Sequence, residues 1–75
     1  MSRELRFCAS TGILERVQQL VEGGADIDET DDEGITALML ASLQGHYEIV
    51  VYLVEHGANV AHTDDDGMTA LHRGE

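Results

Sequence analysis

A single cysteine, Cys8, leaves this 75-residue chain with no intramolecular disulfide. That suits a reducing compartment and withholds the covalent staple on which small secreted domains rely. No apolar run approaches the roughly 18 residues that a membrane span requires. The start, Met1-Ser2-Arg3-Glu4, lacks the apolar core of a signal peptide, so the expected location is cytosol or nucleus. Basic residues are scarce: 4 Lys and Arg face 15 Asp and Glu, for a formal net charge of −11. Nucleic-acid binding needs cations that displace counterions from phosphates, so nucleic acid is excluded as an expected partner. Anionic membrane surfaces are excluded on the same ground, and a basic protein or peptide is favoured.

What is present is a repeat. Gly24-Ala25, Asp31, Gly34 and Thr36-Ala37-Leu38 return as Gly57-Ala58, Asp64, Gly67 and Thr69-Ala70-Leu71, each 33 positions on (57 − 24, 64 − 31, 67 − 34, 69 − 36). Residues 1 to 42 set against 34 to 75 agree at 16 of 42 positions. A period in this range marks a solenoid, whose units bury apolar surface mainly against their neighbours. The repeat points to a binding surface and away from a reaction centre. At this length the chain is one small domain, burying only about 60% of the surface its unfolded form exposes.

Within the complete unit, residues 31 to 63, the pattern changes twice. Asp31-Asp32-Glu33-Gly34 has turn composition, with Gly34 free to adopt positive φ. Thr36 then serves as an N-cap for a helix over 37–44 that places Leu38, Ala41 and Ser42 on one face, and Gly45 closes it. A second helix is predicted over 47–56, with Glu48 in its first turn and Gly57 at its end. Its apolar stripe of Ile49, Val50, Leu53 and Val54 is wide enough to face two neighbours. Two short helices joined around one glycine lie antiparallel, and 58–67 forms a loop or hairpin towards the next unit.

These residues resemble the ankyrin repeat, whose pattern runs DxxGxTPLHxAAxxGHxEIVxxLLxxGAxxN. Asp31, Gly34, Thr36, Leu38, Ala41, Gly45-His46, Glu48-Ile49-Val50, Leu53 and Gly57-Ala58 match it in register. The resemblance covers essentially the whole chain as a single domain, 1–75: a degenerate capping repeat at 1–30, a full repeat at 31–63 and a truncated one at 64–75. It implies an all-α solenoid of antiparallel helix pairs joined by β-hairpin-like loops, about two repeats plus the truncated third. Departures from the pattern are specific. With proline absent from the chain, Ala37 and Ala70 stand where the family has Pro, which weakens the helix start. The His that holds the family's hairpin is met by His72 and replaced by Met39. The late Asn that braces loops is replaced by Asp28 and Ala61, so looser loops are expected.

Where the second repeat has Ala37, Met39, Ile49 and Tyr52, the first has Glu4, Arg6, Arg16 and Gln19, as a terminal cap requires. At the other end Arg73-Gly74-Glu75 replace the family's Leu-Ala-Ala, a helix too short to persist alone. The expectation is an array that continues, an unusual short product, or one completed by a partner or by self-association through the uncapped C-terminal end.

The family binds through hairpin tips and the exposed side of the first helix. Carried over residue by residue, this selects Asp32, Glu33 and Ile35 at one tip, Asp65, Asp66 and Met68 at the next, and Leu43 and Gln44 on the helix, with Ser10 and Thr11 as first-repeat counterparts. Independently of the family, the acidic triplets 31–33 and 64–66 recur at one point of a stacked unit. They should therefore align along an edge and attract Lys- and Arg-rich ligands; solvated loops that maintain solubility are the simpler reading. Calcium is a poor alternative: counted from Asp26, the sixth residue of an EF-hand loop would be Asp31 and the twelfth Ala37. His46, His56, His62 and His72 lack the pair spacing of a zinc site, and Cys8 aligns with the small buried position Ala41. No metal, cofactor or catalytic residue is therefore expected. Val51 stands where the family places a charge; a self-association contact and an ordinary exposed valine both fit it. The function implied is a non-catalytic protein-protein interaction module. A regulatory or targeting segment of a larger enzyme, and a short competitive decoy of longer ankyrin proteins, are the alternatives.

Overall fold

A computed structural model describes residues 4–70. Its elements are α1 (Glu4–Thr11), α2 (Leu14–Glu22), α3 (Ala37–Leu43) and α4 (Tyr47–Glu55), with no strand among the described residues. The all-α solenoid is therefore the observed architecture. The helices predicted over 37–44 and 47–56 each stop one residue early, because Gln44 and His56 serve as C-caps. Thr36 is extended, at φ −100° and ψ 170°, and its Oγ1 accepts from the Met39 N–H at 3.3 Å. That cap starts α3 without the missing proline. Positive φ occurs at Gly12 and Gly45, Gly24 and Gly57, and Gly34 and Gly67, three pairs each 33 residues apart. The period seen in the residue types is thus a period in backbone torsion as well.

α1 packs on α3 and pairs with α2, and α3 pairs with α4, while α2 and α4 pack less closely. The first helices bury Cys8, Ala9, Ala37 and Ala41 together with the larger Leu5, Leu38 and Met39, and the second helices bring Val17, Leu20, Ile49, Tyr52 and Leu53 to the core. The largest fully buried side chains are Met39, Ile49, Leu53 and Val17, each contributing about 1.5–3 kcal/mol of apolar burial. In the stripe predicted on α4, Ile49 and Leu53 are buried, Val50 is half-buried and Val54 is exposed. Cys8 is a packed thiol.

Successive units are also joined by polar links. His46 Nε2–H donates to the Ser10 carbonyl at 3.1 Å, and His62 Nε2–H donates to the Gly34 carbonyl at 3.0 Å. The Asn59 N–H donates to Asp28 Oδ1 at 2.9 Å. This last bond changes the expectation of loose loops at Asp28. A carboxylate oxygen accepts the bracing bond that an asparagine oxygen would take. On the outer side of the first pair, Arg16 donates to Glu4 at 2.8 Å and to Gln19 at 3.1 Å, and Arg6 pairs with Glu29 at 2.9 Å. The roles expected of His72 and of Arg73-Gly74-Glu75 lie outside the described residues, as does the extent of the third repeat beyond residue 70.

Candidate functional site

Each acidic turn is built the same way. Asp31 Oδ1 accepts from the N–H groups of Glu33 at 2.8 Å and Ile35 at 3.0 Å, and Asp64 Oδ1 accepts from Asp66 at 2.8 Å and Met68 at 3.0 Å. Across each turn, the Asp31 N–H donates to the Ile35 carbonyl and the Asp64 N–H to that of Met68, both at 3.0 Å. These are the hairpin-like loops, narrowed by an aspartate side chain that satisfies the turn's amides. The first carboxylate of each triplet is therefore a structural brace, and Asp64 is buried at 6% exposure. Asp32, Glu33, Asp65 and Asp66 are exposed at the tips.

The two tips lie side by side. The Asp65 N–H donates to the Glu33 carbonyl at 3.0 Å, and a Cβ placed on Gly34 would lie 3.2 Å from the Asp64 Cα. Beneath the first tip, Ile35, Met39, Leu40 and Leu43 line an open cleft of about 230 Å³ with Asp31 and Glu33 at its edge. That is smaller than the roughly 300–1,000 Å³ of a typical small-molecule pocket and suits one inserted side chain of a larger ligand. Leu43 is 50% exposed, Gln44 is exposed, and Ile35 and Met68 are half-buried.

Of the residues expected at the site, Ile35, Glu33 and Leu43 thus come together in one cleft, while Asp32, Asp65 and Asp66 sit at the tips. Ser10 is half-buried and accepts from His46; Thr11 turns its hydroxyl onto the Phe7 carbonyl at 3.0 Å. Phe7 is the residue that sequence reasoning missed. It is 64% exposed on α1 and is the repeat-mate of Leu40 (40 − 7 = 33), one unit upstream of the position that lines the cleft. The period itself carried that signal.

Among the described residues, no three His, Cys, Asp or Glu side chains gather as metal ligands would, and no helix is long and apolar enough to cross a membrane. His46 and His62 carry their protons on the nitrogens that hold neighbouring units together, and His56 Nδ1–H donates to the Tyr52 carbonyl at 2.8 Å.

Stacked helix pairs joined by braced turns, with side chains offered along one face, define a repeat protein built for contact with another macromolecule. Residues 5–74 match the family of ankyrin repeats, in three copies. The chain is also similar to two Rickettsia felis proteins named as ankyrin repeat proteins. Each is 45% identical to it over 49 residues, which is 65% of this chain and 78% of one relative and 74% of the other. The chain belongs to the ankyrin-repeat family. Ankyrin repeats are generally protein-interaction modules, and that is the class of activity to which the chain is assigned.

Proposed function

We propose that the chain is a non-catalytic module that binds a basic protein segment across its turn tips and first helices. Carboxylates at Asp32, Glu33, Asp65 and Asp66 supply the rim, and Ile35, Leu40 and Leu43 supply an apolar floor. The observation that carries the reading is the bond between Asp65 and Glu33, which holds two acidic tips in one edge so that their fields add. A rigid edge also spares the ordering cost that a flexible acidic segment would incur on binding.

The test is stopped-flow association of a Lys- and Arg-rich peptide with wild type and with Asp32→Lys combined with Asp65→Lys. The reading expects an association rate reduced about tenfold or more at low salt, and a weaker dependence on ionic strength. Equal rates and equal salt slopes in the two proteins would remove it.

A further inference from the structure

The outer face of the second helices carries a separate apolar groove. Leu14 and Gln18 of α2 and Tyr47, Glu48, Val51, Tyr52 and Glu55 of α4 line an open groove of about 440 Å³. It lies between the second helices, which pack on each other less closely than the first helices do. On each helix the lining residues recur at i and i+4, so the groove runs along both axes. Nine-residue helices give it a length of about 13 Å, which accommodates two to three turns of a helix laid alongside.

Three observations indicate what would fill it. Tyr47 and Val51 are 65% and 54% exposed at its mouth, and Val51 stands where its repeat-mate on α2 is the polar Gln18 (51 − 18 = 33). The rim is acidic: Glu48 and Glu55 line it and Glu22 lies beside Tyr52. No base opposes them from these helices, since α4 contains no Lys or Arg and the one arginine of α2, Arg16, is turned onto Glu4 and Gln19. A second copy of a chain with net charge −11 would bring like charge to this rim, and so would an anionic bilayer.

We infer that the α2–α4 groove is a second docking surface, for a basic amphipathic helix that seats an aliphatic side chain between Tyr47 and Val51 and places Lys or Arg against Glu48 and Glu55. Apolar anchors flanked by charges at helical spacing are the general form of helix-in-groove recognition. This surface lies on different helices from the acidic edge proposed above, so one can fail while the other stands.

The probe is a synthetic amphipathic helix of Leu and Lys, titrated into the isotopically labelled 75-residue chain with amide shifts followed by NMR. Shifts are expected at Gln18, Tyr47, Val51 and Glu55. Val51→Arg should weaken the probe by about tenfold or more, as expected when a central anchor is lost, while Val51→Leu retains binding and Asp32→Lys with Asp65→Lys leaves shifts at this groove in place. Val51 is exposed, so unchanged circular dichroism is expected for both of its variants. Shifts confined to Ile35, Leu43 and Gln44 would overturn the proposal, as would equal affinity of the Val51→Arg and wild-type chains. Concentration-dependent shifts at Val51 without probe would assign the groove to a second copy, and binding of anionic vesicles in place of the peptide would assign it to lipid; either overturns it.

Discussion

The backbone N–H of Asp65 donates to the carbonyl of Glu33 at 3.0 Å, so the second acidic turn hangs from the first by main chain alone. The tips are thus joined without using their side chains, while the turns themselves are held by Asp31 and Asp64. Two carboxylates one or two residues apart in sequence therefore have different work: one satisfies amides and the next faces solvent.

That division predicts unequal costs. Asp64→Ala removes an acceptor from the N–H groups of Asp66 and Met68 at a buried position, and stability should fall by about 1–3 kcal/mol. Asp64→Asn keeps an oxygen there and should lose less. Asp32→Ala, at an exposed tip, should change stability by no more than about 0.5 kcal/mol. Urea denaturation of the three variants at a common slope measures all of these. Equal losses at the two positions would show that the turns do not depend on their leading aspartate.

Gly12 and Gly45 are repeat-mates with the same torsion and different surroundings, at φ 85° and 77°. A Cβ on Gly12 would lie 2.7 Å from Cε1 of His46, whereas one on Gly45 meets nothing within 4 Å. Gly45→Ala should therefore cost only the left-handed strain, about 1–2 kcal/mol, and Gly12→Ala should cost more by displacing the ring that holds the Ser10 carbonyl. In a Gly12→Ala, His46→Ala double variant the excess over the two single losses should be negative, because the clash is removed with the ring. Thermal denaturation of the four proteins gives the comparison.

How much of this was readable from residue types varies with the kind of interaction. The helix pairs and their turns were legible because Gly34 and Gly67, or Thr36 and Thr69, answer the same local backbone requirement in each unit. Asp28 was harder to read, because judging it by the amide it replaces overlooked that either side chain offers the accepting oxygen used by Asn59. Phe7 was hidden by the divergence of the first repeat, although its partner Leu40 stood in plain register. The α2–α4 groove depends on how far two helices stand apart, a property of the whole packed core that no single position states.

Tyr52 supplies a prediction in pH. Its ring stacks on His56 with centroids 4.0 Å apart, and the Glu22 carboxylate lies beside its hydroxyl. Burial first, and the charge of Glu22 second, push its pKa above the ordinary 10.0. The folded chain therefore holds this proton to higher pH than the unfolded chain does. The resulting contribution to stability is complete below pH 10.0 and is lost as pH rises from there through the folded pKa. Tyr52→Phe should flatten that alkaline decline. Glu22→Gln should narrow the window without abolishing it, because burial remains; an alkaline decline unchanged in both variants would remove Tyr52 as its source.

Two ion pairs among the described residues of the first repeat should separate by exposure. Arg16 and Glu4 retain 46% and 63% of their side-chain surface, against 13% and 31% for Arg6 and Glu29. Water screens the first pair, and Glu4→Gln should cost about 0–1 kcal/mol, falling further with added salt. Removing one partner of the second leaves a largely enclosed guanidinium without its carboxylate, so Glu29→Gln should cost about 1–3 kcal/mol. Arg6 also occupies the position at which the next unit has Met39 (39 − 6 = 33), a side chain fully buried there. If the pair serves to face the outer end of the stack with polar groups and adds little stability, Arg6→Met in the Glu29→Gln background should recover most of the loss, because an apolar chain of similar length needs no counter-charge. Urea denaturation reads the outcome, and a double variant as unstable as Glu29→Gln would show that Arg6 holds the first repeat by its charge.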